Sequence, residues 1–276
     1  MRSLINKGLL VYLRAMSYSF INADSINHMK SMERESIDLI VTSPPYAAKK
    51  EYEDWENLEH YKTFADEWLS AAAPLLKPTG TLMLNVGYTK VGRNETLPLS
   101  YVYFEIARKL GLKLVQEIVW RYYGGMAYKL RYTHRTERIL WFSKDPDNCT
   151  FNLDDVRVKE WKLDGKKLTK PPARCNPLGK NPTDVWEIKH IRYNDKMQNM
   201  GHPCQFPEAM IERIIKAHSN EGDMILDPFV GSGTTVVVAE RLMRNSIGID
   251  MTSEYIKMCH KRMRMNGLNT FFDEEE

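Results

Sequence analysis

The 276-residue sequence contains no apolar run long enough to cross a membrane and no internal repeat. A helix needs about 20 consecutive apolar residues to span a bilayer, whereas the apolar run at residues 8–13 is short and is followed by Arg14. The same run is too short for the apolar core of a secretory signal. These absences argue against membrane, secreted and repeat proteins, and we expect a cytoplasmic globular protein.

Cysteine is scarce and widely spaced: the four thiols belong to Cys149, Cys175, Cys204 and Cys259. The chain has no CxxC pair, so neither a disulfide framework nor a structural zinc site is expected. The formal net charge of +3 is too small to identify a partner by itself. We therefore expect ordinary thiols and no bound metal.

Apolar, β-rich runs alternate with segments of helical periodicity, which is typical of α/β proteins with a mostly parallel sheet. Since the helical segments separate the strands, we expect helices on both faces of a doubly wound sheet. The predicted strands are residues 37–41, 81–86, 113–120, 138–142, 224–226 and 247–249. The predicted helices are residues 61–76, 207–219, 235–242 and 254–265.

This regular alternation stops between about residues 145 and 200. Proline, asparagine, aspartate and lysine crowd the segment, and no helical or strand periodicity is evident. Trp161, Trp186 and Ile188 nevertheless give it apolar anchors, so we interpret it as a small inserted subdomain rather than a linker.

Basic residues are concentrated in two stretches, one just before this irregular segment and one within it. Residues 107–144 hold nine Lys and Arg against two acids, and residues 157–180 hold eight against two. Tyrosines 122, 123, 128 and 132 are interleaved with the first group. The pattern suits either an ordinary solvated face or a surface that binds a polyanion such as nucleic acid.

The strongest local motif is Asp227-Pro228-Phe229-Val230-Gly231-Ser232-Gly233-Thr234-Thr235, between a predicted strand and a predicted helix. Glycines let the backbone approach a ligand closely, and the helix N-terminus offers free N–H groups. Asp250 ends the following strand, where a carboxylate can bind a ribose diol. A tight structural turn is the alternative, but the turn, helix and second-strand acid together favour a nucleoside cofactor.

Two further features narrow the choice of cofactor. The glycines do not form GxGxxG, and no P-loop lysine follows them, so dinucleotides and ATP are disfavoured. An aspartate at the start of the turn suits a ligand with an ammonium group. S-adenosylmethionine, which carries an adenosine, an amino-acid end and a sulfonium, fits these requirements.

A second motif, Thr42-Ser43-Pro44-Pro45-Tyr46, directly follows the apolar strand at residues 37–41. The two prolines restrict the backbone, so the Ser43 hydroxyl and the Pro44 carbonyl are held at the end of a strand. Tyr46 adds a flat aromatic face beside them. Two acceptors next to an aromatic ring can bind the exocyclic amino group of a nucleobase that stacks on that ring. A rigid turn with a capping serine is the alternative interpretation.

Taken in chain order, the two motifs resemble those of the beta-class amino-group DNA methyltransferases, in which the catalytic half precedes the cofactor half. Other segments extend the resemblance over most of the chain. They are residues 75–80, residues 134–144, Asn22-Ala23-Asp24, Asp184-Val185-Trp186 and His202-Pro203-Cys204-Gln205-Phe206-Pro207.

The resemblance implies a single Rossmann-like methyltransferase domain over residues 1–276 with a circularly permuted motif order. Its catalytic half would span about residues 20–144 and its cofactor half about residues 201–266. The insertion at residues 145–200 would be the target-recognition region that reads a DNA site in the major groove.

The resemblance also implies the roles of individual residues. Asp227 and the glycine turn would hold the methionine end of S-adenosylmethionine, Asp250 the ribose and Asp24 the adenine, while His202 to Gln205 would flank the methionine moiety. The implied catalytic residues are Ser43, Pro44, Pro45 and Tyr46. The implied cofactor-binding residues are Asp24, His202, Pro203, Gln205, Asp227, Pro228, Phe229, Gly231, Ser232, Gly233, Thr234, Thr235 and Asp250.

Serine at position 43 and the following Lys49-Lys50-Glu51-Tyr52 resemble the branch that methylates N4 of cytosine, whereas adenine-specific members more often carry Asp or Asn in place of this serine. Cytosine and adenine present the same N–C–NH2 group, so the acceptors alone do not separate them. Pro203-Cys204-Gln205 matches the tripeptide of carbon-5 cytosine methyltransferases, but the chain lacks their Glu-Asn-Val segment. We therefore interpret Cys204 as structural.

The resulting hypothesis is an S-adenosylmethionine-dependent methyltransferase that acts directly on the amino group of a flipped-out cytosine in double-stranded DNA. We expect a prokaryotic, nucleoid-associated monomer or homodimer without membrane contact, in a restriction-modification system with a possible cognate endonuclease. The alternatives are adenine N6 methylation of DNA and methylation of RNA or of a protein amide. A catalytically silent nucleic-acid-binding subunit is a further alternative, which the two intact motifs argue against.

Overall fold

The computed structural model describes residues 17–46, 57–93, 95–124, 129, 131–163, 166–168, 175–191 and 200–267. Several parts of the chain used above lie outside these residues: the apolar run at 8–13, Lys49-Lys50-Glu51-Tyr52, Tyr128, and residues 164–165, 169–174 and 192–199 of the predicted insertion. Among the described residues, no helix combines the length and the apolar character that a bilayer crossing requires.

A mixed, mostly parallel sheet of eight strands forms the centre of the described fold. Its strand order is β1-β12-β11-β2-β3-β7-β6-β10, and β7 runs antiparallel to both of its neighbours. These strands are β1 (Tyr18–Asn22), β2 (Ile37–Thr42), β3 (Leu76–Val86), β6 (Lys113–Arg121), β7 (Thr136–Ser143), β10 (Val185–Glu187), β11 (Met224–Asp227) and β12 (Asn245–Asp250). The short hairpins are β4 (Tyr88–Lys90) with β5 (Thr96–Pro98), and β8 (Trp161–Leu163) with β9 (Lys166–Leu168).

Helices cover both faces of the sheet, as the sequence predicts. One apolar cluster joins α1 (Ser25–Ser31), α2 (Leu58–Ala72) and α3 (Leu99–Lys109) to one face of the sheet. The other clusters contain α4 (Glu208–His218), α5 (Thr234–Arg241) and α6 (Ser253–Met265). Alternation along β2 divides the two faces, since Ile40 packs in the first cluster and Leu39 and Val41 in the second.

The structure differs from the sequence prediction in several places. The prediction omitted strands β1 and β10 and helix α1. Helix α2 ends at Ala72 and β3 already begins at Leu76, so Pro78 lies within a strand rather than at the stop of a helix. The prediction also missed helix α3, although Leu99, Tyr103 and Ile106 form a buried stripe at helical spacing.

The segment at residues 145–200 is not wholly separate from the central sheet. Its strand β10 pairs in parallel with β6, and Trp186 is buried in the second core cluster. Asn152 donates hydrogen bonds from its side chain to the backbone carbonyls of Lys216 and Ser219 at the end of α4. The part of this segment that extends the sheet is therefore short and well anchored.

Candidate active site

The residues of both motifs meet at the carboxyl ends of the adjacent parallel strands β2 and β11. Ile225 pairs with Leu39 and Leu226 with Ile40, so the chain leaves the two strands side by side, at Ser43 and at Pro228. Helices on opposite faces follow these strands, which opens a crevice between them, the place where open α/β sheets bind ligands.

A cavity of about 380 Å³ lies in this crevice. Its volume is in the range of small-molecule sites, roughly 300–1,000 Å³. Residues from both motifs and several others line it: Asp24, Ser43, Pro44, Pro45, Tyr46, His60, Phe64, His202, Cys204, Phe206, Asp227, Pro228, Phe229, Val230, Gly231, Ser232, Thr234, Thr235, Asp250, Met251, Thr252 and Tyr255 are among them. We refer to this space as the first cavity.

The glycine turn needs its glycines at two positions. Gly231 has a φ of +50°, and a Cβ added there would lie 2.9 Å from Nε2 of His202. Gly233 has a φ of +76° and precedes α5, but it is not among the lining residues, and a Cβ there would meet the side chain of Cys259. A side chain at either position would thus strain the backbone and displace a neighbour.

A buried arginine supports the turn from behind. Arg262 is only 2% exposed and donates to the Ser232 carbonyl and to the Thr234 hydroxyl at 3.2 and 2.6 Å. Its other terminal nitrogen donates to Glu208 at 2.8 Å. This ion pair connects α6 and α4 to the turn and holds the N-terminus of α5 toward the cavity.

Asp250 ends strand β12, Asp24 follows the end of strand β1 by two residues, and both line the first cavity. The Asp250 carboxylate accepts hydrogen bonds from the backbone N–H groups of Gly231 and Thr252, at 3.1 and 2.9 Å. Partial burial raises the pKa of Asp250. Asp24 caps α1 by accepting from the Asn27 N–H at 2.8 Å. Both carboxylates are thus held in place by hydrogen bonds from backbone N–H groups.

Asp227, which the resemblance assigns to the methionine end of the cofactor, lines the first cavity and is itself held by hydrogen bonds within the protein. It is buried and accepts three hydrogen bonds, from the hydroxyls of Thr42 and Thr235 at 2.7 and 2.6 Å and from the Phe229 N–H at 3.2 Å. Burial raises its pKa to about 6 although these donors lower it. Since Thr42 directly precedes Ser43, Asp227 connects the two motifs.

The segment from His202 to Phe206 separates the first cavity from a second one of about 470 Å³. Both cavities are lined by Ser43, Tyr46, His202, Cys204 and Phe206. The second cavity is also lined by Asn85, Trp120, Tyr122, Glu137, His190, Ile191, Gly201, Pro203 and Gln205. The two motifs therefore meet where two spaces join.

Pro203 and Gln205, which the resemblance assigns to the cofactor, line the second cavity and not the first. Residues 202–206 run between the two cavities, so residues that are adjacent in the sequence line different cavities. Gln205 accepts a hydrogen bond from the Met200 N–H at 3.0 Å. Pro207 immediately precedes α4, whose first residue is Glu208.

The hydroxyl of Tyr46 lies at the centre of a hydrogen-bond network on the wall of the second cavity. Ser43 Oγ donates to it at 2.8 Å, and it donates to Glu137 Oε2 at 3.0 Å. Asn85 Nδ2 donates to both the Tyr46 oxygen and Glu137 Oε2, each at 2.6 Å. Burial, and then the Glu137 charge, raise the pKa of Tyr46 well above its ordinary value, so the phenol keeps its proton.

Sequence reasoning identified the two turns but assigned no role in the site to Asn85, Glu137 or Thr42, although Thr42 belongs to the second motif. Each lies in or next to an apolar strand: Thr42 ends β2, Asn85 lies near the end of β3 and Glu137 near the start of β7. A polar residue at the end of a buried strand is the signal that could have found them, because such ends meet at the ligand edge of the sheet.

Comparison with known proteins gives consistent results. A family model described as DNA methylase, for N6 and N4 methyltransferases, matches residues 37–261. The Type II methyltransferase M.ScaI of Streptomyces caespitosus is 37% identical over 264 residues, covering 94% of this chain and 86% of the relative. The DNA adenine methyltransferase YhdJ of Escherichia coli K12 is 34% identical, with coverages of 89% and 82%.

Solved structures agree with the fold described above. The PvuII DNA methyltransferase, described as cytosine-N4-specific, matches with a TM-score of 0.71 and 22% identity over 94% of this chain and 88% of its own. The complex of M1.HpyAVI with S-adenosylmethionine has a TM-score of 0.61 and 25% identity, covering 89% of this chain and 98% of that one. The predicted Rossmann-like methyltransferase fold is thereby confirmed.

Proposed function

The chain belongs to the DNA methylase family of N6 and N4 methyltransferases, which use S-adenosylmethionine, and on this basis we propose that it methylates N4 of cytosine in double-stranded DNA. The observation that carries the proposal is the junction of the two cavities at Ser43 and Tyr46. One cavity suits the cofactor and the other a base, and the catalytic turn lies between them.

The first cavity fits S-adenosylmethionine in its donors and acceptors. The N-terminus of α5 offers backbone N–H groups to the carboxylate of the methionine end, and the fixed carboxylate of Asp250 suits the ribose hydroxyls. His60, Phe64, Phe229 and Tyr255 supply flat faces. The cofactor, when bound, supplies an electrophilic methyl group: the nitrogen–carbon bond forms as the carbon–sulfur bond breaks, and sulfur keeps the electron pair.

We assign the second cavity to the base that leaves the duplex. Trp120, Tyr122 and His190 line it, and flat side chains can stack on a flipped base, which offsets the few kcal/mol that unstacking costs. Tyr123 and Tyr132, 47% and 98% exposed, lie on the adjoining basic segment. This surface suits the phosphate backbone next to the flipped base.

Ser43 Oγ and the Pro44 carbonyl are proposed to accept the two amino protons of the base while its ring stacks on Tyr46. Transfer is direct, without a covalent bond between enzyme and base, and positioning supplies most of the acceleration. Cys204 lies at the junction, but no separate acid of the Glu-Asn-Val type is present in the sequence to support attack on carbon 5 of the ring.

Cytosine is favoured over adenine because Thr42-Ser43-Pro44-Pro45-Tyr46 resembles the motif of the N4 branch. Adenine N6 is the second candidate, since the relative YhdJ is described as an adenine methyltransferase and since adenine presents the same N–C–NH2 group. RNA and protein amides fit the acceptor pair as well, but the basic insertion at residues 145–200, proposed as the target-recognition region, suits a duplex.

One assay tests these proposals together. The full chain is incubated with isotopically labelled S-adenosylmethionine and either mixed-sequence duplex DNA, single-stranded RNA or a protein extract, and the products are digested and analysed by mass spectrometry. Labelled N4-methylcytosine from duplex DNA is expected. Labelled N6-methyladenine would move the assignment to the second candidate, and label only in RNA or protein would overturn it.

The relatives described as Type II methyltransferases suggest the biological setting. We propose that the protein protects the DNA of a bacterial cell at one recognition sequence, in the cytoplasm and alongside a cognate restriction endonuclease. The enzyme acts as a monomer or homodimer in this proposal.

A further inference from the structure

The network around Tyr46 has a definite direction, and the direction determines what Ser43 can do. Tyr46 is protonated, and the charged carboxylate of Glu137, at 3.0 Å, is a stronger acceptor for its proton than the backbone carbonyl of Asn85, at 3.2 Å. Once Tyr46 donates to Glu137, its oxygen accepts, and Ser43 Oγ donates to it at 2.8 Å. The serine proton is therefore already engaged by Tyr46.

A serine whose proton is already donated has only lone pairs left for another partner. Ser43 Oγ can then accept from an N–H group at the junction but has no proton to donate to it. This matches an amino group as the partner and disfavours a carbonyl oxygen. The negative charge of the Glu137 carboxylate also polarises the hydroxyls of Tyr46 and Ser43, which strengthens Ser43 Oγ as a hydrogen-bond acceptor.

We propose that Glu137 is a positioning residue for methyl transfer, which acts through Tyr46 to make Ser43 an acceptor and to receive the proton that the amine loses. This inference rests on the proposed function. Asn85 completes the arrangement: it is 3% exposed and holds the Glu137 carboxylate and the Tyr46 oxygen with one amide nitrogen.

The hydrogen bonds from Ser43 through Tyr46 to Glu137 give a path for the proton that the methylated amine loses. When the new nitrogen–carbon bond has formed, the nitrogen carries one proton too many. That proton passes to Ser43 Oγ, the serine proton passes to the Tyr46 oxygen, and the tyrosine proton passes to Glu137 Oε2. One proton leaves the nitrogen, one arrives at the carboxylate, both hydroxyls are regenerated, and no electrons are exchanged. Glu137 then releases the proton to water.

The position of Glu137 on the sheet explains how it reaches this site. Strands β3 and β7 pair so that Asn85 lies opposite Ile139, and in antiparallel sheets the residue two positions before the partner lies diagonally on the same face. Glu137 is that residue. Its neighbour Arg138 pairs instead with Glu117 on β6 at 2.7 Å, so Glu117 provides a matched carboxylate outside the network.

A double-mutant cycle with Glu137→Gln and Tyr46→Phe tests the proposal. Both changes keep the size of the side chain, and Phe keeps the aromatic face. Single-turnover rates are measured with saturating S-adenosylmethionine and duplex DNA, and dissociation constants for both are measured separately. Glu137→Gln should slow methyl transfer about 100-fold, the low end of the range for a positioned proton acceptor, with both dissociation constants within about threefold of the wild type.

The combination of variants decides how Glu137 acts. If it acts through Tyr46, Glu137→Gln has no further effect in the Tyr46→Phe background, and the control Glu117→Gln leaves the rate unchanged. Multiplicative losses in the double variant, or an unchanged rate in Glu137→Gln, would overturn the proposal. Failure of the wild type to methylate any base would instead refute the proposed function, so the two failures are distinguishable.

Discussion

The buried carboxylate of Asp227 makes the stability of the protein depend on pH in a direction opposite to that of most aspartates. Its pKa in the folded protein is about 6, raised by burial from the ordinary 3.8. Below about pH 4, folded and unfolded chains both hold this proton, and stability does not change with pH through this group. Between about pH 4 and 6 the folded chain keeps the proton that the unfolded chain has lost, so stability falls as pH rises.

The size of this loss follows from the difference between the two pKa values. Each pKa unit corresponds to about 1.4 kcal/mol, so about 3 kcal/mol of stability is lost by pH 6 and none is lost through this group above it. Asp227→Asn removes the titration but keeps the shape. Its amide oxygen can accept from Thr42 and from the Phe229 N–H, and its amide nitrogen can donate to Thr235 once that hydroxyl rotates.

Urea unfolding of the wild type and Asp227→Asn between pH 4.5 and 8 measures the effect. The difference between the two free energies of unfolding should change by about 2 kcal/mol across the acidic part of this range, because about 1 kcal/mol is already lost by pH 4.5, and it should stay constant at higher pH. Asp154→Asn serves as the control, because Asp154 is an exposed carboxylate paired with Arg157. Parallel curves for the wild type and Asp227→Asn would refute the assignment of a raised pKa to this residue.

Three further predictions concern the two cavities. Gly231→Ala should weaken binding of S-adenosylmethionine about tenfold or more, because a left-handed residue other than glycine costs about 1–2 kcal/mol and its Cβ would press on His202; calorimetric titration of the folded variant measures this. Cys204→Ser should keep its methylation rate within about twofold if no covalent enzyme–base bond forms, and a loss of several hundredfold would contradict direct transfer. Tyr46→Ala should reduce single-turnover rates far more than cofactor affinity and Asp250→Ala the reverse, and equal losses in both quantities would argue against separate cavities.

The sequence predicted the two halves of the site because each half is local. A strand, a turn rich in glycine or proline and a following helix are encoded within about ten residues, and the chemistry of the turn can be read from its side chains. The same reasoning placed most strands of the sheet within a few residues of their observed ends. The exceptions include β1, β10 and α1, which were not predicted. They also include α3, where a helical stripe was overlooked, and the start of β3, where Pro78 suggested the end of a helix but lies within the strand.

Contacts that depend on strand register could not be predicted. Glu137 reaches Tyr46 because β7 pairs antiparallel with β3 in one register, and a shift by a single residue would turn its side chain to the other face. The division of residues 202–206 between two cavities was also beyond sequence patterns, since it depends on the path of an irregular segment. The hydrogen bonds of Asp227 could not be predicted, because Thr42 lies 185 positions away in the sequence and the contact with Thr235 depends on how the turn folds.

The pairing of β2 with β11 explains physically why the catalytic half can precede the cofactor half in the chain. The two motif turns are far apart in the sequence, yet parallel pairing puts their first residues next to each other, and the bond from the Thr42 hydroxyl to Asp227 joins them at 2.7 Å. A buried carboxylate that lost this donor would be left partly unsatisfied, at a cost of about 1–3 kcal/mol. The bond therefore favours one relative position of the two turns, whichever half comes first in the chain. What the site requires is the adjacency of two strand ends, and the connection between them is free to vary.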